Sequence, residues 1–563
     1  MTATHSGFQP PPAPPGSAAP MPPAVDEVRP GAETPVGLRK NLSYRFGNWF
    51  VNEGPKAFFL VIWTAVNLAL FLDRFFFFRN SASWSNMRDI IGDGLPWARG
   101  SAQVLNFNCG IILLTVCRNL ITYVRRIPGI RRLVDKHITF HRAVAWTIAF
   151  ATYVHVGAHY FNFLHIEQAT PEARKRALLP DEGTALQVAV SAVAGWTGHL
   201  LVLVMFVMYT AAVEGVRRKY FELFWFSHHL FVVFFVLLLG HGAQCLLRPQ
   251  NAGAGYICIP ATWKWVLLSL VVYLLERMIR EIRARRTTTI AKVIQHPSRV
   301  VEIQMNKPSM TYRSGQYLFL NCPDISRFEW HPFTISSAPE EGHVSCHIRL
   351  AGDWTTAFAR RLGCTFDGAP GNNGLTLPQV YIDGPFGAAS EDVFKYDVAV
   401  LIGAGIGVTP FSSVLKSIWY RVVSPNTKVK LKKCYFFWIC RDTGAFEWFH
   451  DLLRALEAED IGNFLEIHIY LTGGLKLDQV KNIMVNDRAG LEDGLTGLKS
   501  PTRYGRPDWD TIFGNMGVQH PDTEIGVFFC GPKPLSSALH IACNNATSSK
   551  KGGAKFYYQK ENF

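Results

Sequence analysis

The sequence predicts a multi-domain membrane protein, in which an all-α domain of six transmembrane helices precedes an antiparallel β-barrel and a doubly wound α/β domain. The chain has 563 residues, which is too long for one domain. Apolar residues make up 48% of it and are concentrated between residues 56 and 283. From residue 287 onward, short runs of alternating polarity give way to fully apolar runs that alternate with helical patterns. These three observations define the predicted architecture.

Residues 1–45 are rich in Pro, Ala and Gly, as in QPPPAPPGSAAPMPPA. Such a composition cannot bury a core and predicts a disordered extension. A polyproline site for a partner is the alternative to a solvated tail. Because the first apolar stretch begins near Lys56, no cleavable signal peptide is expected.

Six apolar segments follow, each long enough to cross a bilayer. Basic clusters at 125–136, 217–219 and 277–286 would share one face, which the positive-inside rule makes cytosolic. An even number of spans would place both termini on that face. The same clusters account for much of the net charge of +14, so nucleic acid is not expected as a partner. The expected spans are 56–73, 101–124, 141–163, 187–213, 224–247 and 262–282.

Two apolar segments carry paired histidines. His141 and His155 are 14 residues apart, and His228 and His241 are 13 apart. An ionisable side chain inside a membrane is costly, so it predicts a functional site. If both segments run from inside to outside, one histidine of each lies at each of two levels, about 20 Å apart along the helices. The pairs His141–His228 and His155–His241 are therefore predicted to bind one haem each as metal ligands.

The second spacing conflicts with a regular helix. Fourteen residues return a helix to within about 40° of the same face, whereas thirteen leave it about 140° away. A bulge or kink is therefore expected between His228 and His241, and His229 competes with His228 as a ligand. Satisfied core histidines and a metal-transport site are the alternatives, but no Asp, Glu or Cys joins the histidines at ligand spacing. His159, one turn beyond His155, either acts on a substrate at the outer level or packs there.

A glycine turn predicts a nucleotide site in the last domain. In VAVLIGAGIGVTPFSSVLKSIWY, a strand leads into Gly403, Gly405 and Gly407, which would let the backbone approach a pyrophosphate. Thr409 can cap the following helix, and Pro410 suits its first turn. The context of strand, turn and helix strengthens a motif that alone would be weak.

Three residues at the ends of later strands refine this site. Arg441 stands where an NAD site often has an acid, which favours the 2′-phosphate of NADPH over NADH. Arg506 in YGRPDW is a second candidate for that phosphate, or an ordinary surface arginine. Cys530 in CGPKPL is expected beside the nicotinamide, unless it is a structural buried cysteine.

A run in the predicted barrel suits a flavin. WHPFT ends a strand and offers a histidine, an aromatic ring and a hydroxyl for the flavin ring and ribityl chain, while an arginine in HIRLAGDWT suits the pyrophosphate. A terminal aromatic can stack on the flavin ring. In isolation, each could be an ordinary barrel residue. The predicted flavin-binding residues are His331, Pro332, Phe333, Thr334, Arg349 and Phe563.

Taken together, these residues resemble the catalytic subunit of the NADPH oxidases, specifically the phagocyte-type flavocytochrome b heavy chain. The resemblance runs from about Phe46 to Phe563. The extension of residues 1–45 resembles fungal oxidases of the B type. The stretches that carry the resemblance include NWFVNEG, TFHRAVAW, FWFSHHLFVVFF, EWHPFTISSAPEE, GAGIGVTPF, CRDTGAFEWF, GRPDWD, CGP and KENF.

The resemblance implies three domains after the extension 1–45. Residues 46–286 would form a six-helix, ferric-reductase-like domain with two b haems. Residues 287–393 would form an FAD-binding β-barrel and residues 394–563 an NADPH-binding α/β domain, together a ferredoxin-reductase-like module. The implied activity is electron transfer from cytosolic NADPH through FAD and the haems to dioxygen, with superoxide formed on the outer face of a plasma membrane or endomembrane.

Further roles follow from the resemblance alone. Arg99 and His159 would lie over the outer haem, where the arginine could stabilise nascent superoxide. Cys245 and Cys258 would form a disulfide in an outer loop, and Phe563 would shield the flavin. The implied partners, besides the lipid bilayer and dioxygen, are cytosolic activators that include a small GTPase, together with a small membrane subunit.

Two other functions remain open from the sequence. A transmembrane ferric- or cupric-chelate reductase can share the scaffold, but we find no outer acidic or histidine cluster for a metal chelate. A membrane scaffold or proton channel with vestigial redox domains is the other, and the intact nucleotide motifs argue against it.

Overall fold

The protein is described here from a computed structural model. Its elements fall into two compact units, one of residues 57–124 and 136–277, and one of the described parts of 1–56, 125–135 and 278–563. The described residues are 42–179, 183–243, 249–251, 260–296, 299–366, 376–423, 430–441, 447–459, 464–473, 493, 496–548 and 550–561.

Helices account for most of the described chain up to residue 284. The longest of them are rich in Phe, Leu, Val and Ile, as the composition predicts. In chain order they are α1 (Leu42–Asn80), α2 (Ser85–Ile91), α3 (Gly94–Ile112), α4 (Arg118–Val124), α5 (Arg131–Val134), α6 (His137–Gln168), α7 (Pro171–Arg176), α8 (Ala185–Ser191), α9 (Val193–Ala212), α10 (Glu214–Lys219), α11 (Phe221–His228), α12 (Phe231–Ala243) and α13 (Thr262–Ala284).

Three helical stretches of the described chain are long and apolar enough to cross a membrane: Phe46–Asn80, Val193–Ala212 and Phe221–Ala243. A fourth span results if Gly94–Val116 and Arg118–Val124, which are bent by 82°, count as one. The predicted segments 141–163 and 262–282 fall in α6 and α13, which are helical but less uniformly apolar. Five histidines lie in α6, and charged residues crowd the end of α13 from Glu276 on. The full count of six spans stays a prediction.

The helix that carries His228 is broken, as the 13-residue spacing predicts. α11 ends at His228 and α12 begins at Phe231, with a turn at His229 and Leu230. The amide of Leu230 donates to the carbonyl of Ser227, a shorter loop than an α-helix makes. The break changes the rotational phase between the two histidines, which a continuous helix would leave on different faces.

Two antiparallel three-stranded sheets follow, ordered β1-β2-β5 and β4-β3-β6. Their inner faces share one core, in which Val301, Ile303 and Leu318 are almost fully buried. The alternating runs in the sequence are thus confirmed as strands, while their closure into a barrel stays a prediction. The elements are β1 (Thr289–His296), β2 (Val300–Asn306), β3 (Tyr317–Asn321), β4 (His331–Thr334), β5 (Val344–Arg349), α14 (Asp353–Arg361) and β6 (Tyr381–Phe386).

The rest of the chain forms a six-stranded parallel sheet in the order β10-β9-β8-β7-β11-β12. Separate apolar clusters cover its two faces, one with α15 and α16 and the other with α17 and α18. The doubly wound prediction is confirmed. The elements are β7 (Val398–Ala404), α15 (Thr409–Val423), β8 (Lys433–Cys440), α16 (Glu447–Ala458), β9 (Leu465–Leu471), β10 (Thr502–Tyr504), α17 (Trp509–Gln519), β11 (Glu524–Cys530), α18 (Lys533–Ala546) and β12 (Lys555–Lys560).

The basic segment 125–135 belongs to the same compact unit as this sheet. Arg125 is almost completely buried and pairs with Asp135, at 2.7 Å, and with Asp392, at 2.8 Å. Arg131 reaches the same Asp392 carboxylate at 3.5 Å. Arg125 and Arg131 are thus ion-paired within the protein, whereas the sequence suggested only charges that flank a membrane.

Candidate functional site

The helical unit contains two histidine pairs, and the two imidazoles of each pair lie close to each other. The ring centres of His141 and His228 are 6.3 Å apart, with an angle of 61° between the rings. The ring centres of His155 and His241 are also 6.3 Å apart, at 68°. The structure therefore brings together the two pairs that the sequence predicts. At 1.5 Å per residue, the 14 residues from His141 to His155 separate the two levels by about 21 Å.

In three of these four rings, Nδ1 has a hydrogen-bond partner. Nδ1 of His141 lies 2.8 Å from Oγ1 of Thr115, Nδ1 of His155 lies 3.0 Å from the carbonyl of Ala98, and Nδ1 of His241 lies 3.2 Å from Oγ1 of Thr197. A hydrogen bond at Nδ1 orients an imidazole and leaves Nε2 for a metal. Sequence reasoning did not find these partners, because a threonine in an apolar helix carries no signal of its own.

Nδ1 of His228 has no hydrogen-bond partner among the described residues. Its ring is instead packed by Phe224, whose centre is 5.1 Å away. Nδ1 of the neighbouring His229 donates to the carbonyl oxygen of Trp225 at 2.7 Å, and the imidazole packs edge-to-face against that indole, with ring centres 4.8 Å apart. Of the two competing histidines, His228 is therefore the one that faces His141.

One glycine makes room for the His155–His241 pair. A Cβ on Gly198 would stand 3.2 Å from Cε1 of His241, tighter than nine in ten real Cβ contacts. Glycine at this position in α9 thus allows the imidazole to approach the neighbouring helix. Sequence reasoning missed this residue as well.

Arg99 and His159 lie near the His155–His241 pair. The rings of His159 and His155 are 4.6 Å apart, and His159 stacks on Phe163 at 5.8 Å. Arg99 is close enough to interact electrostatically with His155 and His159, and its guanidinium stands 5.4 Å from the ring centre of Phe78. A positive charge and a further imidazole therefore accompany the His155–His241 pair.

The glycine turn forms a close passage between β7 and α15. A Cβ on Gly407 would collide with the carbonyl oxygen of Cys530, and one on Gly403 would stand 3.0 Å from Cα of Val408. Gly405 has a φ of +56°, which favours glycine. The turn thus requires residues without side chains, as a surface that approaches a pyrophosphate does.

The capping role of Thr409 is not the one that the sequence predicts. Thr409 has helical backbone angles, φ −52° and ψ −42°, and is the first residue of α15. Its hydroxyl donates to the carbonyl of Ile406 at 3.0 Å. The prediction of a cap is wrong, because the 3-10 turn Gly405–Val408 runs directly into the helix. Pro410 does occupy the first turn of α15.

The other nucleotide residues gather at the carboxyl edge of the parallel sheet. Cys530 ends β11 and pairs in register with Gly403. Burial raises the pKa of the Cys530 thiol, so it stays neutral near pH 7. Arg441 follows the end of β8, Arg506 follows the end of β10, and both are exposed. Since parallel strands end at one edge, these residues share the side on which ligands bind in such folds.

The flavin motif occupies β4. The ring of His331 stacks on Trp354 of α14, with centres 4.2 Å apart, and Phe333 is 6.1 Å from the same indole. Thr334 is buried, and Pro332 is exposed. Trp354, in the GDWT run, was not identified from the sequence, although it joins two residues of the motif.

Arg349 ends β5 and is exposed. Its backbone pairs with that of Val300 in β2. The terminal Phe563 and the cysteines Cys245 and Cys258 lie outside the described residues.

Three family matches cover most of the chain after residue 98. Residues 99–239 match the ferric reductase like transmembrane component, residues 285–390 an FAD-binding domain, and residues 396–544 the ferric reductase NAD binding domain.

Several curated proteins are similar over nearly the whole chain. A superoxide-generating NADPH oxidase heavy chain of Dictyostelium discoideum is 45% identical, over 92% of this chain and 98% of that protein. NADPH oxidase 1 of Mus musculus is 40% identical, over 92% and 96%. NADPH oxidase 3 of Homo sapiens is 39% identical, over 92% of this chain and all of that protein.

Proposed function

Because this chain belongs to the NADPH oxidase family, we propose that it transfers electrons from cytosolic NADPH through FAD and two bis-histidine haems to dioxygen, and releases superoxide on the outer face of the membrane. The chain is an NADPH-dependent oxidoreductase with a transmembrane component and with domains for FAD and for a nicotinamide nucleotide.

One observation carries the haem assignment. A bond from a first-row metal to an imidazole nitrogen is about 2.0–2.1 Å long, and the ring centre lies about 1.1 Å behind that nitrogen. Two imidazoles that held one metal atom between them would therefore have ring centres about 6.3 Å apart. Both histidine pairs have this separation, 6.3 Å. The spacing leaves room for one metal atom in each pair, and it supports His141 with His228 and His155 with His241 as the ligands.

The outer end of the helical unit supports reduction of dioxygen beside the metal. If His155 and His241 both hold the haem iron, dioxygen would be reduced in the space beside these two residues. Arg99 supplies a positive charge that would stabilise an oxygen anion, and His159 supplies an imidazole next to His155. We assign both residues to the oxygen site.

The carboxyl edge of the parallel sheet supports the NADPH site. The side-chain-free turn at Gly403, Gly405 and Gly407 would hold the pyrophosphate, with Pro410 in the first turn of the helix behind it. The exposed guanidiniums of Arg441 and Arg506 would pair with the 2′-phosphate. At the same edge, Cys530 would contact the nicotinamide, and Thr409 would position the turn through Ile406.

The flavin site is assigned to β4 and to the end of β5. The side chains there suit FAD. They offer aromatic surface for the flavin ring, the hydroxyl of Thr334 for the ribityl chain and the guanidinium of Arg349 for the pyrophosphate. Phe563 would cover the flavin from the end of the chain. The assigned residues are His331, Pro332, Phe333, Thr334, Arg349 and Phe563.

We further propose six membrane spans with both termini in the cytosol, in a plasma membrane or endomembrane. Arg125 of the basic segment 125–135 pairs with Asp392, which belongs to the same compact unit as the FAD- and nicotinamide-binding domains. This pairing supports a cytosolic position for the segment. The domains would be 1–45, 46–286, 287–393 and 394–563. The proposal includes a Cys245–Cys258 disulfide outside, cytosolic activators with a small GTPase, and a small membrane subunit.

The test compares two acceptors with one preparation. The purified protein in liposomes, supplied with FAD, haem and NADPH, should reduce cytochrome c in a manner that superoxide dismutase abolishes. A reduced-minus-oxidised spectrum, with haem counted per chain, should give two haems. Dominant reduction of ferric chelates without superoxide would instead indicate a metal reductase, and absence of haem bands and NADPH oxidation would leave a scaffold.

A further inference from the structure

Three ligand-type side chains converge on the first antiparallel sheet, and none of the three is assigned to the redox path above. His296 ends β1, Glu302 lies in β2 and His347 lies in β5. Glu302 and His347 are directly opposite each other in register, and His296 is opposite Val300, two residues from Glu302. Since alternate residues of a strand share a face, the three side chains stand on one side of the sheet.

Their distances fit a single metal ion. Nε2 of His296 is 3.3 Å from Oε2 of Glu302, and Nε2 of His347 is 3.6 Å from the same oxygen. All three ligand atoms lie within 4.8 Å of one another. Ligand atoms about 2.0–2.1 Å from one ion at tetrahedral angles are about 3.3–3.4 Å apart. Both carboxylate–imidazole edges are close to that length.

The surrounding hydrogen bonds hold these ligands in place. Nδ1 of His347 lies 2.7 Å from Oγ of Ser336, and Nε2 of Gln304 donates to the second oxygen of Glu302 at 3.0 Å. The rings of His296 and His347 stack, with centres 5.3 Å apart. Metal-binding imidazoles and carboxylates are commonly oriented by such contacts at their other atoms.

The ligand side chains are largely withdrawn from solvent. The side chains of His347 and Glu302 are only 7% and 11% exposed. The nearby cation Lys416 is paired with Glu341 at 3.1 Å. A carboxylate and a neutral imidazole are the forms that bind metal.

We propose that His296, Glu302 and His347 bind one divalent transition-metal ion of the zinc class. Two imidazoles and one carboxylate suit zinc, and a water molecule would complete four-coordination. His296 is one-fifth exposed, so the site has an entry from solvent. The ion would link β1, β2 and β5 to one another. None of its three ligands is assigned to the redox path.

The site is also close in the chain to the proposed flavin residues. His347 lies two residues before Arg349 on the same face of β5, and Ser336 lies two residues after Thr334. Zinc at this position would hold β1, β2 and β5 in their relative register. We therefore expect metal binding to stabilise this sheet without taking part in electron transfer.

The test measures metal in the full chain, purified by an affinity tag without histidine, stripped with chelator and dialysed against buffered Zn²⁺. Haem iron is counted separately by elemental analysis. The wild type should retain one zinc per chain, and an X-ray absorption spectrum at the zinc edge should show nitrogen and oxygen ligands including imidazole. His296→Gln and Glu302→Gln should each bind zinc at least about 100-fold more weakly, beyond the loss seen for an outer partner.

The control is His343→Gln, a histidine of the same sheet region that contacts the carbonyl of Glu341 and stands outside the cluster. It should bind zinc like the wild type. Haem and flavin content should be unchanged in all three variants, which separates this proposal from the proposed function. No zinc above background in the wild type, or equal zinc in His296→Gln and the wild type, would overturn the proposal and leave a buried ion-pair cluster.

Discussion

The guanidinium of Arg125 donates two hydrogen bonds to the carboxylate of Asp392, at 2.8 Å and 3.3 Å, across 267 residues of sequence. Both groups are buried, and Arg125 also binds Asp135. Those contacts and the nearby carboxylates raise the pKa of Arg125 against the effect of burial. The pair ties the loop 125–135 to the 3-10 segment Ala389–Lys395 that precedes β7.

Arg125→Ala should therefore destabilise this unit by about 3–5 kcal/mol, because it leaves a buried carboxylate with fewer partners. Arg126→Ala, at the exposed neighbouring position, is the matched control and should change stability by less than about 0.5 kcal/mol. The measurement is thermal unfolding of both variants in detergent. Equal stability of the two variants would contradict the structural role of the buried pair.

Replacing adjacent histidines should separate the ligand from its neighbour. His228→Leu should lower the haem content from two per chain to one, because it removes the ring that faces His141. His229→Leu should keep both, since His229 is turned towards Trp225. Haem is counted from the reduced-minus-oxidised spectrum and by extraction. Loss of haem in His229→Leu alone would assign the ligand to the other histidine.

Gly407→Ala should abolish NADPH oxidation, because its Cβ would collide with the carbonyl oxygen of Cys530 where β11 meets the glycine turn. Gly514→Ala in α17 has open space around the Cβ and should be neutral or slightly stabilising. The readouts are NADPH titration by flavin reduction and the melting temperature. Wild-type NADPH affinity in Gly407→Ala would remove the turn from the site.

Arg441→Ala should raise KM for NADPH about 10- to 100-fold, because a hydrogen bond to a charged group contributes about 1.5–3 kcal/mol. KM for NADH, which lacks the 2′-phosphate, should barely change. Arg506→Ala measured in the same way decides whether both guanidiniums contact that phosphate. A parallel loss with both nucleotides would mean that Arg441 acts on the fold instead.

Stability should fall as the pH rises through neutrality because of Glu561. Burial raises its pKa to about 7, although Ser390 donates to the carboxylate from both its amide and its hydroxyl at 2.6 Å. A raised pKa means that the folded state binds more protons, so this contribution is complete below about pH 4.5 and is lost as pH rises through about 7. The loss is about 3 kcal/mol.

Melting temperatures at pH 5 and pH 8 test this dependence, because most of the loss falls between the unfolded and the folded pKa. Glu561→Gln cannot ionise and should remove most of the difference, while Glu281→Gln, at an exposed position, should retain it. The same pH dependence in wild type and Glu561→Gln would show that another group is responsible.

Much of the fold follows from local pattern. Alternating and fully apolar runs predicted both kinds of sheet, and a 13-residue spacing predicted the break that separates α11 from α12. Such features depend on periodicity along a single segment, so they can be predicted without the tertiary structure. The prediction of a helix cap at Thr409 is wrong, because a 3-10 turn can continue directly into a helix without a capping residue.

The sequence by itself determined which residue types the protein offers: paired membrane histidines, a glycine turn and a flavin motif. The tertiary structure alone decided which partners they meet, such as Thr115 for His141, Trp354 for His331 and Asp392 for Arg125. It also brought His296, Glu302 and His347 together from three strands. The reason is physical: strand and helix periods are local, whereas these contacts arise from packing between segments that are distant in sequence.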